Sequence, residues 1–172
     1  MLITPRYLRQ QKELHRNARY GAASKKFAPL VAELIIEHDP RSILDYGAGK
    51  GALKQALGPL VKARKFAQYD PAVWRYSVLP HGTFDMVCCI DVLEHIEPKC
   101  LDDVLKSLLA KTRLLLAVTI HTGPAGKSLP DGRNAHLIQW PAEKWQGKLG
   151  QYFASVQLRQ QTETTLFGVC LP

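Results

Sequence analysis

Apolar residues along this chain keep two rhythms, one of helices and one of strands covered on both faces. Phe27, Leu30, Val31, Leu34 and Ile35 repeat at i, i+3, i+4, i+7 and i+8 and line one face of a helix, which Asp39-Pro40 ends. Leu101, Val104, Leu105, Leu108 and Leu109 make a second stripe of the same kind. Strands are predicted at about Ser42 to Tyr46, Lys65 to Tyr69, Phe84 to Ile90 and Leu114 to Ile120, with a further pair at Tyr152 to Arg159 and Thr164 to Cys170. The run Phe84 to Ile90 lacks polar alternation, as a parallel strand under helices on both sides requires. A helix is predicted from roughly Lys50 to Leu57, where Gly58-Pro59 stops it, and a short one from Pro141 through Trp145. Strands and helices taking turns imply an α/β fold with a doubly wound, mostly parallel sheet. Only twelve residues separate Pro71 from Phe84, whereas a strand-helix-strand unit takes about thirty, so one strand is expected to be short or absent.

With 172 residues, 46% of them hydrophobic, the chain can bury a full core as one domain. Its four cysteines, Cys88, Cys89, Cys100 and Cys170, form no C-x-x-C pair, and two lie inside an apolar strand. Reduced core thiols in a cytoplasmic protein are the expectation, with no disulfide and no metal site. No stretch has the length to span a bilayer, and no apolar targeting segment follows Met1. The net charge of +8 is uneven, because residues 1–26 carry seven basic side chains against Glu13 alone. The chain therefore divides into a basic N-terminal arm, 1–26, and a near-neutral domain, 27–172. Such an arm suits an anionic small molecule, a nucleotide or a nucleic acid backbone; it equally suits an amphipathic helix packed over the body. The oligomeric state is not legible.

Three motifs carry chemistry. Ile43 to Leu53 is an apolar run that ends in Asp45 and then places Gly47, Gly49 and Gly51 at alternate positions. Glycine has no Cβ, so such a strand-turn-helix junction is expected to bring bare backbone N–H groups up to a ligand. By itself Gly47-x-Gly49-x-x-Ala52 also fits the dinucleotide fingerprint. Tyr69-Asp70-Pro71 then sets a carboxylate at a second strand end, where it can accept from two ribose hydroxyls. Phe84 to Ile96 closes the set as a buried strand that breaks into Asp91-Val92-Leu93-Glu94-His95.

The three motifs in this order resemble the class I S-adenosylmethionine-dependent methyltransferases. The resemblance spans roughly residues 27 to 170 and looks closest to compact methyltransferase-domain proteins of bacteriophage and bacterial genomes. It implies a three-layer Rossmann-like fold closed by an antiparallel C-terminal pair, and S-adenosyl-L-methionine as cofactor. It implies that Gly47, Ala48 and Gly49 approach the amino-acid end of the cofactor, that Asp45 orients the loop and helps satisfy the ammonium, and that Asp70 with Pro71 takes the ribose. Asp91 and Val92 would face the methionine moiety and Leu93 the transferred group. Glu94 and His95 could deprotonate an acceptor, His95 because imidazole titrates near neutrality.

Asp131-Gly132-Arg133-Asn134-Ala135-His136 lies beyond the last parallel strand, on the side where ligands enter such sheets, so Arg133, Asn134 and His136 are substrate candidates, with His121 at the preceding strand end. Arg133 and Asn134 can also simply serve the loop backbone. Arg19-Tyr20-Gly21 is a candidate lid. Trp140 and Trp145 read as packing residues, and Tyr76 or Val78 as an adenine wall. Asp91-Val92-Leu93-Glu94 is not the Asn/Asp-Pro-Pro-aromatic tetrapeptide of amino-methylating DNA enzymes; Cys88 and Cys89 are strand residues and Cys100 is expected to open a surface helix, so none is a nucleophile in an exposed turn. An O or N acceptor remains. The competing readings are a cofactor-binding module without catalysis and, less favoured, an NAD-dependent oxidoreductase.

Overall fold

A computed structural model describes residues 1–18 and 20–172. In chain order the elements are α1 (Pro5–Leu14), α2 (Ala28–His38), β1 (Ser42–Tyr46), α3 (Ala52–Leu57), β2 (Lys65–Tyr69), β3 (Phe84–Ile90), α4 (Leu101–Lys111), β4 (Thr112–His121), α5 (Ala142–Leu149), β5 (Ser155–Thr162) and β6 (Thr165–Leu171). The six strands form one sheet in the order β2-β1-β3-β4-β6-β5. β2, β1, β3 and β4 run parallel, and β6 pairs antiparallel with both β4 and β5. This is the mostly parallel sheet with an antiparallel C-terminal pair that the sequence implied.

Successive strand residues point to opposite faces, and each face has its own helical layer. Ile43, Met86, Cys88 and Leu115 pack with Val31 and Ile35 of α2 and Leu53 of α3. Leu44, Val87, Cys89 and Leu116 pack on the other side with Leu105 and Leu108 of α4 and Trp145 of α5. Every residue of β3 is buried, which is why its sequence shows no alternation. Between Asp70 and Phe84 there is only a 3-10 turn, Trp74–Tyr76, so the extra strand is absent, as the short spacing predicted, and β2 is a sheet edge.

Two local expectations need correction. α3 begins at Ala52 rather than Lys50, because Gly47, Gly49 and Gly51 have φ of 83°, 52° and 76°, left-handed conformations at alternate positions that no helix can include. Cys100 was expected to open a surface helix, but it is 1% exposed; all four cysteines are free and buried.

The N-terminal arm packs on the body. Thr4 caps α1, its Oγ1 accepting from the Tyr7 amide at 3.2 Å, and Pro5 occupies the first turn, where its missing N–H costs nothing. Tyr7 is buried against Leu129 and Ala135, while Arg6, Arg9, Lys12 and Arg16 stay exposed. Among the described residues no helix is long and apolar enough to cross a membrane.

Asp85 ties three strand starts together. Its carboxylate accepts from the amides of Arg41 (2.8 Å) and Ser42 (3.2 Å) and from Arg113 Nε (2.7 Å), and it is 2% exposed. Burial alone would raise its pKa, but Arg113 and the two amides outweigh burial and hold the carboxyl below its ordinary 3.8. Asp85→Ala orphans both amides and should cost about 3 kcal/mol in urea denaturation at pH 7. The difference from wild type should be fully present above the unfolded pKa of 3.8 and shrink as pH falls through the lower folded value.

Candidate active site

A cavity of about 560 Å³ opens at the carboxyl ends of β1 and β3, where the strand order reverses direction. Gly47, Gly49, Asp70 and Pro71 line one end, Asp91 and Val92 the floor, and Glu94, His95, His121 and His136 the other end. The arm roofs it through Tyr7, Gln11, His15 and Tyr20, with Lys26 and Lys127 also on the wall.

The glycine loop is held mainly by acceptors outside itself. Gly47 N and Ala48 N donate to the Tyr69 carbonyl (2.7 and 2.9 Å), Gly49 N to Asp70 Oδ2 (2.9 Å), Lys50 N to the Gly21 carbonyl (2.8 Å) and Gly51 N to Ala48 O (2.8 Å). The amides of residues 47 to 51 are thus already partnered, and the loop offers closeness rather than bare donors. A Cβ on Gly47 would lie 2.3 Å from Val92 Cγ2, and one on Gly49 2.2 Å from Gly21 O, so both glycines are required by their neighbours.

The two acids expected at the cofactor end exchange part of their work. Asp70 organises the loop: Oδ2 receives Gly49 N and Oδ1 receives Ala72 N, each at 2.9 Å. An ionised carboxylate has about four lone-pair sites, so Asp70 keeps capacity for a diol. Asp45, expected to orient the loop, lies beneath it at 1% exposure, off the cavity wall, with Oδ2 unpartnered. Gln68, its register partner on β2, also has an unpartnered Nε2. Burial, reinforced by Asp70, raises the Asp45 carboxyl to about 7.

Ala48 and Leu93 are likewise buried and off the wall; Leu93 belongs to the core beside α4 instead of facing a transferred group. Asp91 has φ of 54°, and Thr119 Oγ1 both receives its amide and donates to its Oδ1, each at 2.9 Å. Asp91 therefore ends β3 in a sharp turn that swings Glu94 and His95 into a 3-10 turn at the cavity wall.

Glu94 is fully buried, Oε1 receives the His121 amide at 2.9 Å, and Oε2 has no partner. Burial and the neighbouring Asp91 raise its carboxyl to about 8. His95 Nδ1 meets Ala135 O at 2.8 Å, and the Tyr7 hydroxyl donates to His95 O at 2.6 Å. Burial, then His136, lowers His95 to about 4, so it is a neutral imidazole at pH 7 and a weak base, contrary to the expectation of near-neutral titration. His136 Nδ1 meets Gly123 O at 2.7 Å, and its ring centroid is 4.7 Å from that of His95 and 4.9 Å from that of His121.

Tyr20 and Gly21 do lie over the pocket; Arg19, the third residue of the candidate lid, is outside the described residues. Arg133 and Asn134 are not on the cavity wall. Arg133 is exposed and bound to Asp131, with Nε 3.1 Å from both of its carboxylate oxygens, and Asn134 Oδ1 receives the amides of Ala125 and His136 at 2.9 Å. Both serve the loop. Val78 is 76% exposed and Tyr76 is also off the wall, so neither supplies an adenine wall. Trp140 and Trp145 pack on each other, as expected. Tyr7, Gln11 and His15 were missed; their signal was Thr4-Pro5, a helix start, followed by inward residues at Tyr7 and Gln11, four apart.

The fold is that of the class I methyltransferases. A sequence profile described as a methyltransferase domain matches residues 13–167, and the chain belongs to that family. No curated protein sequence matches it. Among solved structures it is similar to a candidate O-methyltransferase from Nostoc punctiforme PCC 73102 (14% identity, TM-score 0.68, 94% of this chain and 60% of that one). It is also similar to an O-methyltransferase family protein from Burkholderia thailandensis (13%, 0.66, 86% and 55%). The chain thus spans little more than half the length of these two. A Burkholderia thailandensis 1,6-didemethyltoxoflavin-N1-methyltransferase, solved with 1,6-didemethyltoxoflavin and S-adenosylhomocysteine, matches at 15% and 0.67 over 99% of this chain and 91% of that one.

The Asp45 carboxyl binds its proton more tightly folded than unfolded, so between pH 3.8 and about 7 the native state holds more protons and loses stability as pH rises. Asp45→Asn should flatten that slope and gain roughly 2–4 kcal/mol at pH 8, read as urea midpoints across pH 5 to about 8. An unchanged slope would show that Asp45 is solvated.

Proposed function

We propose that this protein binds S-adenosyl-L-methionine in the 560 Å³ cavity and transfers its methyl group to an O or N atom of a small or nucleotide-sized acceptor. One observation carries the reading: a single cavity joins a glycine loop and a strand-end carboxylate at one end to a carboxyl and three imidazoles at the other. The cofactor supplies a methyl already activated on a sulfonium sulfur, so the chain's task is to align the partners and keep water out.

Asp70 suits the ribose, with its remaining lone pairs directed from the end of β2. Gly47 and Gly49 bring the chain close to the amino-acid end without side-chain bulk. Asp91 and Val92 form the floor between cofactor and acceptor. The arm shields the pocket, Tyr20 being held by its hydroxyl to Gln11 Oε1 at 2.9 Å. Lys26 and Lys127 on the wall favour an acceptor that carries negative charge, and the exposed Arg6, Arg9, Lys12 and Arg16 extend that field outward. Glu94 and His95 orient the acceptor; a buried neutral imidazole is better suited to accept a hydrogen bond than to take a proton outright.

Calorimetry with S-adenosylmethionine, S-adenosylhomocysteine and NAD, followed by transfer of radiolabelled methyl to candidate acceptors, tests the reading. Binding of NAD alone would overturn it, and binding without transfer to any acceptor would favour a cofactor-binding module. Asp70→Ala should weaken S-adenosylmethionine by about 1–3 kcal/mol, and Gly49→Val should abolish binding by displacing Gly21 and straining the loop. Removal of residues 1 to 20 should lower cofactor affinity, because the arm forms the roof.

A further inference from the structure

We propose that Glu94, His95 and His136 form a binding site for one first-row divalent transition-metal cation at the acceptor end of the cavity. One oxygen of Glu94 and one nitrogen from each histidine lie within 4.8 Å of one another, close enough to share an ion. The residues come from two distant segments, the turn after β3 and the loop before α5, that meet where Ile138 N donates to Glu94 O at 3.0 Å.

Three features beyond proximity point to a cation. Glu94 Oε2 is buried without a hydrogen-bond partner, while Oε1 is fixed by the His121 amide; a buried acceptor left open in this way calls for a positive or donating ligand. His95 and His136 each have Nδ1 against a backbone carbonyl, at 2.8 and 2.7 Å, which places the proton on Nδ1 and leaves the Nε2 lone pair free. Backbone carbonyls hold metal-bound imidazoles in this same tautomer. Finally, Asp91 puts a second carboxyl on the same wall, which Lys26 also lines.

Two imidazoles and one carboxylate suit Zn²⁺, Co²⁺ or Mn²⁺ better than Mg²⁺ or Ca²⁺, which favour all-oxygen shells. Three protein ligands leave coordination positions for outside oxygens, and all three residues line the cavity. If the methyl-transfer reading holds, the ion would fix an acceptor oxygen there, ranking O above N acceptors.

The experiment is titration of the full chain with Co²⁺ alone, followed by visible absorption and equilibrium dialysis, in the absence of any methyl donor. One Co²⁺ per chain is expected, displaced by Zn²⁺ and retained in millimolar Mg²⁺. Glu94→Gln and His136→Ala should each weaken binding by about 100-fold or more, and His38→Ala, on the far surface, should leave it unchanged. Glu94→Gln keeps the side chain's shape, and circular dichroism with a melt in EDTA confirms that it folds. Zn²⁺ should raise the melting temperature of wild type and not of Glu94→Gln. No saturable Co²⁺ binding, or binding that survives both substitutions, overturns the site. Calorimetry of S-adenosylmethionine in EDTA reads the cofactor separately, so either reading can fail without the other.

Discussion

The carboxylate of Asp70, accepting Gly49 N on one oxygen and Ala72 N on the other, is the joint on which the pocket depends. The left-handed run through Gly47, Gly49 and Gly51 cannot make helical hydrogen bonds, so its amides need acceptors elsewhere. The end of β2 provides them through Tyr69 O and Asp70, and the arm provides one more through Gly21 O. Loop, strand end and arm therefore form one hydrogen-bonded unit. A shift of β2 by one residue would remove both of its acceptors at once, and with them the partners of the Gly47, Ala48 and Gly49 amides.

The same joint explains why the arm belongs to the site. Gly21 sits against Gly49, while at the other end of the arm Thr4 donates its amide and hydroxyl to Glu97, both at 2.9 Å, and Tyr7 reaches His95 O. The arm thus bridges the cofactor wall and the Glu94–His95 wall. Its charge faces away from this contact. The basic side chains that stand out in the sequence are the exposed ones, and the buried anchors are a tyrosine and a glutamine, which carry little signal of burial in a polar segment.

Strands were legible almost to the residue where both faces are covered: Phe84–Ile90 is a continuous apolar run because two helical layers demand it. The missing strand was legible as a length. The turn after β1 was legible where backbone geometry dictates residue type, as at Gly47 and Gly49 with their positive φ. What failed depends on tertiary detail. Whether Asp45 or Asp70 meets the loop is decided by which carboxylate clears the sheet edge, and both stand at strand ends. Arg133 and Asn134 offer the same donors whether they face a ligand or brace a loop; here the loop's own amides and Asp131 claim them.

Side-chain chemistry at the acceptor end follows from burial more than from residue identity. An exposed imidazole would titrate near neutrality, but His95, enclosed by Tyr7's contact, Ala135 and His136, is driven down to about 4. Glu94 is driven the opposite way, to about 8, by the same removal from water. Two groups that read in sequence as bases able to deprotonate an acceptor are each held toward neutrality, so neither is poised to take a proton in the protein alone. What they present instead is a fixed pair of polar groups, oriented by the His121 amide and the Ala135 carbonyl. On the proposed methyl-transfer reading, the contribution of such a wall is to position an acceptor against the donor. That demand falls on the rigidity of the Asp91 turn and its Thr119 bonds, and much less on the intrinsic basicity of His95.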